Sequence, residues 1–218
     1  MSNTIAVLGG TGNEGPGLAL RWAKSGQYKV IIGSRQAEKG QRVAAELNEK
    51  LGQDVIQGMA NEDAARAADL CVLTVPYNAQ GPTLTALQGL LQGKILVDVT
   101  VPLKPPKVSH VKVPPGGSAG LEAQAILGED VRVVSAFQNV GAAHLAEDDN
   151  HIDCDVLICG DDKEAKAEVI ALAEAAGLRG IDAGPLKNSV VVEGLTAVLI
   201  GINIRHKVKG SGIKITGI

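Results

Sequence analysis

A glycine-rich turn near the start of the chain carries the clearest chemical signal in the sequence. Residues 9–15 are Gly-Gly-Thr-Gly-Asn-Glu-Gly, and they directly follow an apolar run at residues 5–8. A G-x-G-x-x-G motif between a strand and a helix binds a dinucleotide pyrophosphate, because its glycines allow a tight turn beside the N–H groups of the helix. A plain glycine turn is the alternative, but the context favours a dinucleotide site that includes Gly10, Thr11, Gly12, Asn13 and Glu14.

The end of the second predicted strand indicates which dinucleotide binds. NAD-binding proteins usually place Asp or Glu there, whereas this strand ends at Ser34 and Arg35 without an acid. An acid would repel a 2′-phosphate, and the Arg35 guanidinium offers it a fork of donors. Lys39, one helical turn later, adds a second cation. Both basic residues could instead be ordinary solvated residues at a helix start, but the pattern favours NADP(H).

Two further strand ends are expected to line the same crevice, because ligands of open α/β sheets bind beyond the carboxyl ends of the strands. The fourth predicted strand ends in Thr-Val-Pro-Tyr at residues 74–77, and the fifth in Asp-Val-Thr-Val-Pro at residues 98–102. Tyr77 is therefore expected near the nicotinamide or its ribose. A partly exposed packing aromatic is the alternative reading of this residue.

The sequence lacks the acid–base groups of several common enzyme classes. Neither Tyr28 nor Tyr77 has Lys four residues later, which excludes the short-chain dehydrogenase pair. Residues 151–155 (His-Ile-Asp-Cys-Asp) do not have zinc-ligand spacing and would alternate between strand faces, so no metal site is predicted. Hydride transfer between two organic cofactors suits such a site, since the protein then mainly supplies proximity and orientation.

Apolar runs alternate with helical stretches along the chain. This predicts an α/β fold, a Rossmann-type doubly wound parallel sheet with a small α/β C-terminal domain. A boundary near residue 145 separates an NADP-binding domain (1–145) from a domain for the substrate pocket and dimer contacts (146–218). Asn61 is expected to cap a helix, and residues 102–120 to form a long loop. The predicted strands are residues 5–8, 29–32, 54–56, 70–75, 95–99, 131–136, 156–159 and 178–181, and the predicted helices are residues 17–24, 37–51, 61–67, 80–91, 163–176 and 186–206.

The composition indicates a soluble cytoplasmic protein without nucleic-acid or membrane partners. The 218 residues carry a net charge of −3 and no basic block, which argues against nucleic-acid binding. Three cysteines without a Cys-x-x-Cys motif predict reduced thiols. No signal peptide is recognised. The apolar stretch 195–204 is about half as long as the ~20 residues of a membrane span, so it predicts a buried helix or a subunit interface.

The chain resembles the family of NADPH-dependent coenzyme F420 reductases over nearly its whole length. The similarity begins in the glycine turn and reappears late in the chain. The late segments are the more discriminating ones, because generic Rossmann proteins do not carry them. The matching segments are residues 6–13, 17–21, 33–35, 61–65, 72–76, 159–162, 182–186 and 188–189.

This resemblance implies hydride exchange between the nicotinamide of NADP(H) and C5 of the deazaflavin coenzyme F420, usually in a homodimer. It implies that residues 11–14 hold the pyrophosphate and that Ser34, Arg35 and Lys39 hold the 2′-phosphate. The implied cofactor side further includes Pro76, Tyr77, Val101 and Ala142, and the implied deazaflavin side includes Gln138, Asn139 and Val140.

The departures from the family pattern fall on the acceptor side. Gln138 stands in place of a family His, Gly141 in place of a Pro, and Val190 in place of an Arg. Two alternatives therefore stay open beside F420 reduction. One is an NADPH-dependent reductase of a flavin or another small acceptor, as in the cytosolic domains of membrane ferric reductases. The other is a non-catalytic regulator that senses NADP(H).

Overall fold

Eight strands form one sheet in the computed structural model, which describes residues 4–147 and 152–218. The strands are β1 Thr4–Leu8, β2 Lys29–Ser34, β3 Ile56–Ala60, β4 Leu70–Leu73, β5 Ile95–Asp98, β6 Arg132–Ser135, β7 Asp155–Gly160 and β8 Arg179–Asp182. Their spatial order is β3-β2-β1-β4-β5-β6-β7-β8. Neighbouring strands are parallel except β6 and β7, which are antiparallel.

The first strand lies inside the sheet and is covered on both faces. Ile5 and Val7 belong to one buried apolar cluster, whereas Ala6 and Leu8 belong to another. Successive side chains of a strand point to opposite faces, so helices must cover both sides. The strand order reverses between β1 and β4, which opens a ligand crevice at their carboxyl ends. The predicted Rossmann-type parallel sheet is confirmed.

The helices follow the strands in the alternating order that the sequence predicts. Gly26 ends the first helix in the left-handed conformation, with φ of 68°, which suits glycine. The helices are α1 Gly15–Ser25, α2 Ala37–Leu51, α3 Asn61–Ala67, α4 Tyr77–Leu91, α5 Ala119–Leu127, α6 Ala142–Ala146, α7 Lys163–Ala175 and α8 Ser189–His206, and a 3-10 turn, Leu186–Asn188, precedes α8.

The position of β3 differs from the prediction. The sequence predicts a strand at residues 54–56, but β3 covers Ile56–Ala60. Its sequence, Ile-Gln-Gly-Met-Ala, lacks the continuous apolar run of a buried strand, yet an edge strand needs only one covered face. Gly58 allows α2 to approach closely, because a Cβ added there would lie 2.3 Å from the carbonyl carbon of Gly40.

The helices differ from the prediction at several places; α6 was not predicted, and α4 begins at Tyr77 rather than at residue 80. Asn61 does not cap α3 with its side chain, since the N-cap is Ala60 and forms no side-chain hydrogen bond. Helix α5 begins at Ala119, inside the stretch predicted as a loop, and was not predicted. Its N-cap is Ser118, which accepts a hydrogen bond from the amide of Leu121. The composition of the preceding stretch obscured this cap.

The chain after β6 is joined to the first part by a short strand pair and by two side chains of α1. β6 and β7 pair through two residue pairs. The buried Arg21 guanidinium donates to the carbonyls of Leu145 and Ala176. The Trp22 indole N–H donates to the carbonyl of Leu172. Both sides of residue 145 share this core, and the division into two domains there stays a prediction.

The last helix is the most apolar element. Together with the 3-10 turn it is long and apolar enough to cross a membrane by length and composition alone, yet only 28% of its most apolar window is buried. Val191, Val198 and Ile204 are 63%, 42% and 64% exposed. The opposite side of α8 packs on the protein through buried residues such as Val192 and Ala197. The helix therefore combines one buried face with open apolar positions.

Candidate functional site

A groove of about 1020 Å³ lies at the carboxyl ends of β1, β2 and β4. It passes the glycine turn, the start of α2 and the start of α4. This is the switch point of the sheet, where open α/β folds bind nucleotides. The sequence-predicted residues that line it are Thr11, Gly12, Ser34, Arg35, Lys39 and Pro76.

The glycines of the turn differ in how closely the protein packs around them. A Cβ at Gly10 would lie 2.6 Å from the carbonyl oxygen of Val7, and one at Gly15 would lie 2.6 Å from the Cα of Gly10. Neither position leaves room for a side chain, so these two glycines permit the packing of α1 against β1. At Gly12 the nearest atoms would be 3.9 Å away. The protein itself leaves room for a side chain there, so close packing within the chain does not explain the glycine at position 12.

Glu14 occupies the N-cap position of α1 without a hydrogen bond from its side chain. The first N–H groups of the helix are therefore left for a ligand. Burial raises the pKa of the Glu14 carboxyl to about 8, so the group is mostly protonated at pH 7. A neutral carboxyl does not repel a pyrophosphate. The neighbouring Asn13 is exposed.

The residues predicted to bind the 2′-phosphate lie together at one end of the groove. Ser34 is buried at the end of β2, and Arg35 and Lys39 are exposed. Within residues 4–147 and 152–218, neither cation is paired with a carboxylate. Two cations beside a hydroxyl form a suitable site for a phosphate dianion.

Asn61 is a site residue that the sequence analysis assigned to another role. Its side-chain oxygen accepts a hydrogen bond from the amide of Gly9, at 3.1 Å. The residue is 5% exposed and lines the groove. It therefore positions the start of the glycine turn. Asn61 directly follows β3, and the predicted position of that edge strand was wrong. The contact with Gly9 could therefore not be predicted from the sequence.

Tyr77 does not line the groove, although Pro76 beside it does. The Tyr77 hydroxyl donates to Glu122 at 2.7 Å, and Lys112 Nζ lies 5.0 Å from the centre of its ring. Burial and the neighbouring carboxylate raise the pKa of Tyr77 to about 12. The residue lines a second cavity of about 450 Å³ between α4 and α5. Its role at the nicotinamide stays a prediction.

Two amide side chains follow β6 in buried positions. Gln138 Nε2 donates to the carbonyl of Asp98 and to Ser135 Oγ, and Asn139 Nδ2 donates to the carbonyl of Val192. The main-chain carbonyls can only accept, so they fix the orientation of both amides. Within the described residues, the side-chain oxygens of Gln138 and Asn139 are buried without a partner. Such oxygens can accept N–H donors that the chain itself does not supply.

The other residues predicted for the site lie near these amides. Val101 follows β5 and is half-buried, Val140 is 5% exposed, and Ala142 begins α6. None of the three belongs to the wall of the large groove. Their predicted contacts with a cofactor or substrate stay predictions.

A buried acid closes the carboxyl end of β5. Asp98 has no exposed surface and accepts hydrogen bonds from Gln80 Nε2 and from the amide of Thr100. Burial raises the pKa of Asp98 to about 6, and the hydrogen bonds from Thr100 and Gln80 oppose this shift. The carbonyl of the same residue receives Gln138. Asp98 thus binds α4 through its carboxylate and the segment after β6 through its main-chain carbonyl.

A second buried acid, Glu193, reaches from α8 to the start of α5. Its two oxygens accept from the amides of Ala119 and Gly120, at 2.7 and 3.0 Å. Burial raises the pKa of Glu193 to about 8, against the lowering effect of these amides. The residue is 2% exposed. No local sequence pattern indicates this contact, because 73 residues separate Glu193 from Gly120.

The arrangement supplies binding groups for a dinucleotide, with no reactive thiol among the cysteines. Cys71, Cys154 and Cys159 are free and buried, and burial raises the pKa of Cys71 to about 12 and that of Cys159 to about 11. Such thiols are poor nucleophiles. In the part of the chain that the structure describes, no three His, Cys, Asp or Glu residues are grouped to hold a metal. His151 lies outside these residues.

The sequence and the fold are similar to those of known proteins. The model of the family "NADP oxidoreductase coenzyme F420-dependent" matches residues 4–102. An F420-dependent NADP reductase of Methanocaldococcus jannaschii is 46% identical, over 98% of both chains. One of Methanothermobacter thermautotrophicus is 41% identical, over 98% of this chain and 95% of that one. The crystal structure of a candidate F420-dependent NADP reductase from Arthrobacter sp. FB24 superimposes with a TM-score of 0.81 at 26% identity, over 100% of both chains.

Fold, groove and similarity together define an NADP-dependent oxidoreductase of the Rossmann type. Within that class, the chain belongs to the family of F420-dependent NADP reductases. The resemblance drawn from the sequence motifs is thereby confirmed.

The exposed guanidinium at the end of β2 leads to a test of cofactor choice. We expect Arg35→Ala to weaken NADPH binding about tenfold or more and to leave NADH binding nearly unchanged, because a charged hydrogen bond contributes about 1.5–3 kcal/mol. Isothermal titration with both dinucleotides measures this difference. Arg42→Ala is the matched control, since Arg42 is exposed on α2 and pairs with Glu46 outside the groove. Equal weakening of both dinucleotides by Arg35→Ala would contradict the assignment.

The buried Glu193 predicts how stability depends on pH. Its pKa rises from 4.5 in the unfolded chain to about 8 in the folded protein. Between these values the folded state holds a proton that the unfolded state releases, so the free energy of unfolding falls as the pH rises. Below pH 4.5 both states are protonated and the contribution is constant. We expect Glu193→Gln, which cannot ionise, to reduce this fall by on the order of a few kcal/mol.

Urea denaturation at pH 5 and pH 8.5 measures the effect. The comparison uses the change between the two pH values within each variant, because Gln also loses one of the two amide contacts. Glu164→Gln, at an exposed position of α7, should keep the wild-type change. If Glu193→Gln and the wild type lose the same stability over this interval, the shifted pKa is wrong.

Proposed function

We propose that the protein transfers a hydride between NADP(H) and the deazaflavin coenzyme F420. The observation that supports this proposal is the groove at the switch point, with Gly12 open to a phosphate and Arg35 and Lys39 at its far end. Relatives over the full chain that are named F420-dependent NADP reductases support the choice of acceptor.

Residues of this chain would hold the dinucleotide at three points. The open start of α1, next to Gly12, would receive the pyrophosphate, and Ser34, Arg35 and Lys39 would receive the 2′-phosphate. Pro76 lines the groove after β4, on the other side of β1 from the 2′-phosphate residues, which suits the nicotinamide. When bound, NADP(H) and F420 supply the chemistry themselves, as a hydride passes between nicotinamide C4 and deazaflavin C5. The protein then needs to align two rings and to exclude water.

The acceptor side would be formed by the segment after β6. Gln138 and Asn139 each keep a buried side-chain oxygen without a partner. These oxygens could accept from the amide or imide N–H groups that both a nicotinamide and a deazaflavin carry. Val140 and Val101 would provide apolar contacts beside them. The buried position of these oxygens implies a small opening movement when a ring enters.

The assembly that we propose is a cytoplasmic homodimer joined through α8. Val191, Leu195, Val198 and Ile202 follow one another at intervals of four, three and four residues, so they form one stripe along the helix. Val191 and Val198 are exposed on this stripe. A second copy of the helix would cover it, as apolar seams do in paired helices. The three free, buried cysteines agree with a reducing compartment.

Steady-state assays with NADPH and either F420 or FMN test the reaction. We expect turnover with F420, which the decrease in absorbance of the oxidised deazaflavin measures. Turnover with FMN alone would identify a flavin reductase, and NADPH binding without turnover would identify a regulator. Gly12→Val should abolish turnover while the protein stays folded, because a side chain there fills the phosphate approach without meeting the protein within 3.9 Å of its Cβ.

Charge substitutions on α8 test the dimer. We expect the double substitution Val191→Glu and Val198→Glu to produce a monomer, because two carboxylates on the stripe would lose their hydration in a dimer. Sedimentation velocity measures the mass of the species. Ile204→Glu is the control, since Ile204 is equally exposed but lies on the other side of the helix. A dimer that survives the double substitution would exclude this stripe as the interface.

A further inference from the structure

The loop between β5 and α5 is the most cationic segment near the site. From Val99 to Ser118 it contains Lys104, Lys107, His110 and Lys112 and no Asp or Glu, in a chain whose net charge is −3. All four basic side chains are exposed. A segment of one sign of charge creates a local positive potential that attracts anions.

The loop runs from the carboxyl end of β5 to the last helix. Val111 packs over Gly194, where an added Cβ would lie 3.3 Å from Val111 Cγ1. Ser109 lies beside Gly201, and the corresponding distance to its Cβ is 3.6 Å. The absence of side chains at these two glycines of α8 makes room for the loop. Its cationic part is therefore held against the C-terminal portion of the chain.

The loop then returns to the start of α4. Lys112 Nζ lies 5.0 Å from the centre of the Tyr77 ring, within the range of a cation–π contact. The amide of Gly116 donates to Glu122, whose other oxygen receives the Tyr77 hydroxyl. Both oxygens of Glu122, the acid nearest to the loop, are thus occupied by these two donors. Glu193 is buried under α5 and does not face the lysines.

The position of the loop separates it from the phosphates of the dinucleotide. The 2′-phosphate site is at the end of β2, and the loop leaves β5. These strands are three places apart in the sheet, which corresponds to about 14 Å. The pyrophosphate site, at the start of α1, lies between them. Lys112, over the ring of Tyr77, which directly follows Pro76, connects the loop to the end of the groove at which we place the nicotinamide.

We propose that Lys104, Lys107 and Lys112 bind the anionic tail of the deazaflavin substrate. This inference rests on the proposed function. F420 carries a phosphodiester and several glutamate carboxylates on the side chain that extends from its ring, so it has an oligoanion to place outside the ring pocket. Exposed ammonium groups on a tethered loop suit such a flexible tail better than a closed pocket would. The loop thereby selects F420 over uncharged deazaflavins and flavins.

The test compares F420 with the tail-free deazaflavin that ends at the ribityl group, each with NADPH. The variant is Lys104→Gln, Lys107→Gln and Lys112→Gln combined. We expect its ratio of kcat/KM for F420 to kcat/KM for the tail-free compound to fall roughly three- to tenfold, since each exposed ion pair contributes modestly. The wild-type ratio should fall with added salt, and the variant ratio should depend on salt much less.

A control with the same change of charge is available on the side of the sheet where the parallel strands begin, away from the groove at their carboxyl ends. Lys29, Lys50 and Lys163 are exposed at the start of β2, the end of α2 and the start of α7. Their combined replacement by Gln should leave the ratio unchanged. An equal ratio in the wild type and the loop variant would overturn the proposal, and so would an increase in KM for NADPH instead of F420. Failure of the wild type to turn over either deazaflavin would overturn the proposed function itself.

Discussion

The close backbone contact at the glycine turn is the constraint on which the rest of the structure depends. α1 can pack against β1 only because Gly10 and Gly15 lack side chains, with would-be Cβ contacts of 2.6 Å. That packing opens the helix N-terminus toward the groove. It also places Arg21 and Trp22, two turns later, against the main chain of the C-terminal part. The same contact therefore forms the proposed phosphate site and helps to hold the two parts of the chain together.

Charge is distributed unequally between the inside and the outside of the site. Burial raises the pKa values of three acids near the site, Glu14, Asp98 and Glu193, whereas Glu62, in the wall of the groove, is exposed. The cations of the groove, Arg35 and Lys39, are exposed. The pyrophosphate and the 2′-phosphate of NADP(H) together carry up to four negative charges, and ionised acids would repel them. Burial reduces this repulsion, and exposure keeps the cations available.

The sequence was sufficient for features that follow from local pattern. Such features are the buried strands, the glycine turn and the cations after β2, each of which is a pattern of consecutive residues. They predicted the fold and the residues that line the groove. Features that depend on packing between distant residues could not be predicted from the sequence. Asn61 contacts Gly9 across 52 residues, and Glu193 reaches α5 across more than 70. β3 was misplaced and α5 was missed for a related reason, since an edge strand needs no apolar run and Ser118 lies in a loop-like stretch.

The hydride step itself moves no proton between the two carbon atoms, but it does need two rings held in one orientation. In the proposed reaction the first ring is held by the Rossmann part, and the second by residues whose positions depend on the C-terminal part. Asn139 is fixed by a carbonyl of α8, and Glu193 of α8 fixes the start of α5. Since α1 carries both the phosphate site and the Arg21 contacts, a displacement of α1 would shift the two rings relative to each other. Precision of the reaction therefore depends on the contact between α1 and the C-terminal part, which lies outside the groove.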